Sequence, residues 1–219
     1  MLLANRKVTE WVNLTYGKNL ETPPPFLYRV HDEPSPERLQ KFSDFLQKLG
    51  YKLDVKGRKG LSSSLNTLLD DISGKAEENM IEAIAVRTMA KAVYTPDNIG
   101  HYGLGFKYYT HFTSPIRRYP DLVVHRLLMH YLEDNKKPID FDLTDIGKHC
   151  SDMEKKAAEA ERESVKYKQA EYMADRIGDS FSGVVTGVSK WGIFVEIDEI
   201  KAEGLVRMKE IGSDFFYLD

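Results

Sequence analysis

The spacing of apolar residues changes abruptly near residue 178. From residue 152 to residue 177, apolar and small residues recur at alternating steps of three and four, which is the spacing of one face of a helix. Beyond Gly178, the segments 181–188 and 191–197 alternate with a period of two, which is typical of strands. The change predicts two units, a mainly helical one over residues 1–177 and a β-rich one over residues 178–219.

The first unit contains further segments with helical spacing, separated by proline and glycine. We expect helices over residues 1–16, from Ser35-Pro36 to Gly50, over 62–72 and over 77–92, and strands over 26–30 and 100–110. The segment after Pro120 is apolar on nearly all sides, so it is expected to form a buried central helix with a kink or restart at that proline. The predicted fold class is α+β.

Composition excludes some classes of protein. A chain of 219 residues can bury a proper core, and its formal charge of -3 means that any nucleic-acid site must be a local patch. The single cysteine, Cys150, rules out an internal disulfide and fits a reducing compartment. Because no apolar run approaches the roughly 20 residues of a membrane span, a cytoplasmic protein is expected.

Two adjacent arginines, Arg117 and Arg118, follow the tripeptide Thr113-Ser114-Pro115. A hydroxyl residue before a proline is a helix-start signal, and the free N–H groups of a helix start attract phosphate. A guanidinium at that position adds a planar pair of donors suited to a phosphodiester. The alternative is a capped core helix with one structural arginine, and the tripeptide alone does not decide between the two.

The longer string Tyr109-Thr-His-Phe-Thr-Ser-Pro-Ile-Arg-Arg-Tyr-Pro-Asp-Leu-Val-Val-His-Arg126 resembles the signature of the ribonuclease II/ribonuclease R (RNB) family of exoribonucleases. Residues 101–104, 1–6 and 28–34 also resemble segments of that family. The resemblance implies a processive enzyme that degrades single-stranded or structured RNA from its 3′ end. It would use Mg²⁺ to hydrolyse the RNA to nucleoside 5′-monophosphates, and would act as a monomer.

The same resemblance assigns roles to residues of the signature. Arg117 matches the catalytic arginine and would bind the scissile phosphate as charge builds on it. Arg118 either contacts RNA or is a buried partner of Asp121 or another carboxylate. His111, Thr113 and Ser114 are expected to line the phosphate path.

Other polar residues are interpreted structurally. His125 lies in the apolar helix and is more often a hydrogen-bonded core histidine than a ligand. Asp70 and Asp71 fit a solvated helix face, and the run Asp140, Asp142 and Asp145 lacks the glycine and terminal glutamate of a calcium loop. No metal site is therefore expected among these residues.

The second unit resembles the S-one type of OB-fold RNA-binding domain. Its expected RNA contacts are Trp191 and Phe194, which would stack on bases, and Lys190 and Arg207, which would contact phosphate. Trp191 could instead close the end of the barrel. The family commonly has histidine where Arg207 stands, so cationic stacking could replace ring stacking there.

Both units look incomplete against these two families. An OB barrel has five strands and only three can be placed before Asp219. In the RNB family the aspartates that bind Mg²⁺ lie upstream of the helix that matches Met1. We therefore expect this chain to hold the downstream part of a catalytic domain and a truncated RNA-binding domain, and to be inactive by itself. The alternatives are a non-catalytic RNA-binding module and a scaffold without an RNA role.

Overall fold

A computed structural model describes residues 1–17, 24–54, 57–75, 77–133 and 142–211. The chain divides into two compact units, Met1–Glu154 and Lys155–Asp219. This division falls inside a long helix, upstream of the predicted boundary at residue 178. The helix residues after Glu154 are almost all exposed, so they add little to the core of the first unit.

The first unit is mainly helical. Its helices are α1 (Leu2–Tyr16), α2 (Pro36–Lys48), α3 (Gly57–Ile72), α4 (Glu78–Thr88), α5 (Tyr119–Leu132) and the start of α6 (Leu143–Ala174). Two short strands, β1 (Tyr28–Val30) and β2 (Val93–Thr95), pair in antiparallel fashion and place Arg29 opposite Tyr94. The helices expected near residues 1–16, 35–50, 62–72 and 77–92 are confirmed, with shifted ends for the last three.

Local signals explain two of the helix starts. The Ser35 side chain accepts a hydrogen bond from the N–H of Arg38 at 3.4 Å, and Pro36 occupies the first helical position of α2. Asp142 accepts from the N–H groups of Thr144 and Asp145 at 2.8 and 3.1 Å, so it caps α6. Helix α6 therefore begins well before residue 152, because a carboxylate satisfies its free N–H groups there.

The first unit has two apolar cores. One is formed by residues from α1, the segment just before β1, the two strands, α5 and α6: Val12, Phe26, Leu27, Tyr28, Val30, Tyr94, Val123, Val124, Leu127, Leu143 and Cys150. The other joins α2, α3 and α4 around Phe42, Leu46, Leu68, Ile72 and Ile81. Gly147 lets α6 cross β2 closely, since a Cβ atom there would lie 2.6 Å from the carbonyl oxygen of Tyr94.

Two expectations for the first unit are wrong. Residues 100–110 form a short 3-10 helix, Tyr102–Leu104, and isolated bridges rather than a strand, because Gly100 and Gly105 adopt positive φ and the His101 ring caps the turn. Helix α5 is not buried all round, since Met129 and Leu132 near its end are about half exposed. The expected restart at Pro120 is confirmed, because α5 begins one residue before it.

The second unit contains a three-stranded antiparallel sheet in the order β3 (Gly183–Ser189), β4 (Gly192–Ile197) and β5 (Glu203–Arg207), followed by the short helix α7 (Met208–Ile211). A tight turn at Lys190 and Trp191 joins the first two strands. These are the three strands that the period-two alternation predicts. Among the described helices of both units, none is long and apolar enough to cross a membrane.

Candidate functional site

The two arginines of the signature lie in a turn that precedes α5. The N–H groups of Arg117 and Arg118 donate to the carbonyl oxygen of Ser114 at 3.3 and 3.1 Å. The helix itself begins at Tyr119, with Pro120 in its first turn. The predicted helix start at Pro115 is therefore wrong, because Pro120 takes the position at the helix start that proline favours.

A buried carboxylate closes this turn. Asp121 has no exposed surface, and its Oδ1 accepts from the backbone N–H of Ser114 at 2.8 Å and from Nη2 of Arg118 at 2.9 Å. As an acidic residue in the first turn of α5, it also complements the positive end of the helix dipole. Arg118 is thus the ion-pair partner of Asp121, which is one of the two roles expected for it.

Arg117, unlike Arg118, has an exposed side chain. This side chain makes no hydrogen bond or ion pair with any residue that the structure describes. The neighbouring Ile116 is fully exposed and Tyr119 is half exposed. The turn therefore directs one guanidinium inward to Asp121 and leaves the other free to bind an anion.

His111 lies at the start of the segment that leads to this turn. Its Nδ1 is 2.7 Å from the hydroxyl of Tyr94, and its ring packs edge-on against Tyr109 with centroids 5.8 Å apart. Burial first, and then the charges of Arg118 and Arg29, lower the pKa of His111 to about 4. The ring is consequently neutral at pH 7.

Thr113 and Ser114 stand between His111 and the arginines, and both are partly buried. Their hydroxyl groups make no hydrogen bond within the described part of the chain. The expected phosphate-lining residues thus form one continuous segment that ends in the free guanidinium of Arg117. A hydroxyl without a protein partner can donate to a phosphate oxygen.

The backbone of this segment is held by residues far away in sequence. Asn5 of α1 donates to the hydroxyl of Tyr109 at 3.2 Å and accepts from the N–H of Phe112 at 3.1 Å. Thr110 donates to the carbonyl oxygen of Leu27 at 2.7 Å. Sequence reasoning missed Asn5, although its place among the core-facing residues of α1 with Thr9 and Val12 was a signal.

His125 has the structural role predicted for it. Its Nε2 is 2.8 Å from the carbonyl oxygen of Phe112, and the two rings stack with centroids 4.2 Å apart. The side chain therefore ties α5 to the signature segment.

No group of three or more His, Cys, Asp or Glu side chains within the described residues could hold a metal ion. Asp70 and Asp71 are exposed, and Asp142 caps α6. Asp140 lies outside the described residues. The residues that the structure describes thus do not provide ligands for the Mg²⁺ ion that the family resemblance implies.

In the second unit, three of the expected RNA contacts lie at one end of the sheet. Trp191 is 68% exposed in the turn, and Lys190 Nζ lies 4.9 Å from the centre of its ring. The exposed Arg207 pairs with Gly192, directly after that turn. Phe194 is partly buried opposite Leu205, two residues further along the strand and on the same face as Arg207.

Two known domain families match this chain, one in each of its two units. Residues 1–134, more than half of the chain, match the sequence model of the RNB domain, and residues 174–217 match that of the S1 RNA binding domain. The chain belongs to the RNB family. The RNB match covers the first unit as far as the end of α5, and the S1 match covers the three-stranded sheet.

Individual relatives agree with this assignment. Ribonuclease R of Thermotoga maritima is 44% identical over 202 residues, which cover 89% of this chain and 28% of that protein. The solved structure of Mycoplasma genitalium RNase R with ribose-methylated single-stranded RNA matches with a TM-score of 0.86 and 30% identity, over 100% of this chain and 34% of that one. Yeast Ssd1, described as a pseudonuclease, matches with a TM-score of 0.71 and 26% identity, over 94% of this chain and 26% of that one. This RNB family chain spans about a third or less of each relative.

Proposed function

We propose that this RNB family chain is part of a processive 3′-to-5′ exoribonuclease of the ribonuclease R type. It would contribute the arginine that binds the scissile phosphate and part of the RNA-binding surface. The products would be nucleoside 5′-monophosphates. The observation that carries the proposal is the contrast within the turn before α5, where Asp121 holds Arg118 and leaves Arg117 exposed. A cytoplasmic monomer is part of the proposal, and the single buried cysteine is compatible with a reducing compartment.

Arg117 acts on the phosphate in this mechanism. Its planar guanidinium can donate two parallel hydrogen bonds to two phosphate oxygens, and these strengthen as negative charge accumulates in the transition state. The turn fixes the backbone on both sides of Arg117, so the positive charge is placed before RNA binds. His111, Thr113 and Ser114 add neutral donors along the same segment.

Mg²⁺ would activate the attacking water and neutralise phosphate charge in an enzyme of this family. The described residues do not provide its ligands, so no step through the ion is assigned to them. The family resemblance implies that the metal-binding aspartates would lie upstream of the segment that matches Met1. We therefore expect the chain to be inactive by itself, because it would supply the arginine and another part of the protein would supply the metal ligands.

The chain alone should not hydrolyse RNA, whereas the same chain extended to the full length of its relatives should do so with Mg²⁺. Both proteins would be incubated with the same single-stranded RNA, labelled either at its 5′ end or in every nucleotide, and products would be separated by size. We expect mononucleotides and progressive shortening from the 3′ end with the extended protein only. Hydrolysis by the chain alone that survives Arg117→Ala would contradict the assignment of both the metal ligands and the arginine.

The second candidate is a non-catalytic RNA-binding protein. It is favoured by the match to yeast Ssd1, because that protein is a pseudonuclease. In this case Arg117 would bind a phosphate without cleavage. The extended protein would then retain RNA intact under the conditions of the hydrolysis assay.

Both candidates predict that the second unit binds single-stranded RNA weakly and in a salt-sensitive way. Replacing Trp191 or Phe194 with alanine should weaken binding, since base stacking on an aromatic ring contributes about 1–3 kcal/mol. Arg207→Ala should instead reduce the dependence of affinity on salt, because it removes one phosphate contact. Fluorescence anisotropy at several salt concentrations measures both effects. An unchanged affinity in the Trp191 and Phe194 variants would exclude this stacking face, and Val184→Ala is a matched control, since Val184 is exposed on the outer strand β3.

A further inference from the structure

Tyr94 is the side chain that contacts His111 most directly. It lies on β2 and is 4% exposed, and its hydroxyl is 2.7 Å from Nδ1 of His111. This hydroxyl makes no other hydrogen bond within the described residues. Tyr94 lies outside the signature segment Tyr109–Arg126 and is not among the expected site residues.

Two contacts hold Tyr94 in place. Its backbone N–H donates to Oγ of Ser151 at 2.9 Å, and the guanidinium of Arg29 lies over its ring at 4.5 Å from the centre. Arg29 is itself fixed by a two-fold hydrogen bond to the carboxylate of Glu154. The Tyr94 ring could turn its hydroxyl away from His111 only by losing its hydrogen bond to Ser151 or its contact with Arg29.

The direction of the hydrogen bond follows from the acceptors within reach. The buried hydroxyl of Tyr94 has no other acceptor among the described residues, so its proton is satisfied only if it is donated to Nδ1 of His111. Burial also raises the pKa of Tyr94, which keeps this proton on the phenol. Since Nδ1 accepts, the proton of the neutral ring is on Nε2. Nε2 makes no hydrogen bond within the described part of the chain and is not among its fully buried atoms without a partner.

We propose that Tyr94 is a positioning residue, which holds His111 as a neutral ring whose Nε2–H donates to a phosphodiester oxygen of RNA bound beside Arg117. The inference rests on the function proposed above and adds a residue to its phosphate site. An imidazolium at this place would be repelled by the two arginines close to it. A neutral ring avoids that repulsion and still offers one oriented donor.

Groups from every neighbouring element act on His111. The positive ones are Arg29 on β1 and Arg118 before α5, and they are paired with Glu154 and Asp121. The rings of Tyr109 and His101 lie on the segment before His111, and His101 is itself kept neutral by burial, which lowers its pKa to about 4. Asp121 offsets only part of the effect of the two arginines, and burial is the largest influence on the pKa of His111.

The test compares the chain with its Tyr94→Phe variant, which keeps the ring beneath Arg29 and removes the hydroxyl. NMR titration of the histidine rings from pH 8 down to about pH 3 would give the pKa and the tautomer of His111, with His111→Gln to assign its signals. In the unmodified chain we expect an Nε2–H tautomer. In Tyr94→Phe the pKa of His111 should rise by about one unit and both tautomers should appear. A proton on Nδ1 in the unmodified chain would overturn the proposal. Because this result needs no variant, the test remains decisive even if Tyr94→Phe does not fold.

Tyr109→Phe is the matched control. It removes a hydroxyl from a second tyrosine against the same ring, but that hydroxyl bonds to Asn5 and not to His111. The His111 titration should therefore stay unchanged in this variant. An equal change in both variants would mean that general loosening of the site, and not the Tyr94 hydroxyl, controls His111.

Affinity for a single-stranded RNA would then be measured at pH 7 in a double-mutant cycle. Tyr94→Phe should weaken binding a few-fold in the unmodified chain and have no further effect in the His111→Gln background. Weakening of the same size in both backgrounds, or in neither, would overturn the phosphate contact through His111. The chain and all its variants could also fail to bind RNA while His111 has the expected tautomer. That result would contradict both the proposed function and the phosphate contact, and would support only the positioning of His111 by Tyr94.

Discussion

Arg117→Ala, introduced into a protein extended to the length of its relatives, should lower the single-turnover rate of RNA hydrolysis by about 100- to 1,000-fold. The removal of one preorganised donor to developing charge typically costs about 3–4 kcal/mol in the transition state. RNA affinity should fall only slightly, because the rest of the RNA contacts remain. Thermal stability should not change, since the Arg117 side chain is exposed and has no partner among the described residues.

Two variants make the Arg117 prediction specific. Arg117→Lys should restore little of the rate, because an ammonium keeps the charge but loses the planar pair of donors. Arg118→Ala should act mainly through stability or affinity, since Arg118 pairs with a carboxylate that has no exposed surface. A normal single-turnover rate in Arg117→Ala would remove its catalytic role. A severe chemical defect in a well-folded Arg118→Ala protein would assign that role to Arg118 instead.

Asp121→Ala should destabilise the first unit by about 3–5 kcal/mol, which is the usual cost of removing one partner from a buried ion pair. The substitution leaves the largely buried guanidinium of Arg118 without its partner and frees the N–H of Ser114. Urea denaturation of the chain would measure the loss. We expect the turn before α5 to open, so amide exchange at Ser114 and Arg118 should accelerate more than exchange in the core of α5.

Lys41→Ala is the control for Asp121. Lys41 also forms an ion pair with an acidic residue, Glu37, but both side chains are at least 75% exposed. Solvent screening makes such pairs worth little, so its removal should change stability by less than about 1 kcal/mol. A similar small effect for Asp121→Ala would show that the turn is held by its backbone hydrogen bonds alone.

Most helices of the first unit could be predicted because their signals are local. The apolar spacing of α1 and the Ser35-Pro36 start of α2 depend only on residues within a few turns of each other. The strands of the second unit were predictable for the same reason, since alternation and a two-residue turn define a hairpin. These features follow from the sequence without reference to distant residues.

The start of α5 shows where local signals stop being sufficient. Ser114-Pro115 and Tyr119-Pro120 are both plausible places for a helix to begin, because proline suits the first turn of a helix. In the structure the helix begins at Tyr119-Pro120, because Asp121 is buried and its Oδ1 accepts a hydrogen bond from the N–H of Ser114 in the preceding turn. The exposure of Arg117 and the pairing of Arg118 both follow from that choice.

The sequence by itself determined the two-unit plan, most of the helices and the segment that carries the candidate site. Only the tertiary structure decided which arginine is free, and it alone brought Asn5 to Tyr109 across 104 positions and Tyr94 to His111 across 17. The physical reason is that periodicity and capping report interactions between near neighbours along the chain. Hydrogen bonds to buried polar groups depend instead on which distant elements the packed core brings within about 3 Å.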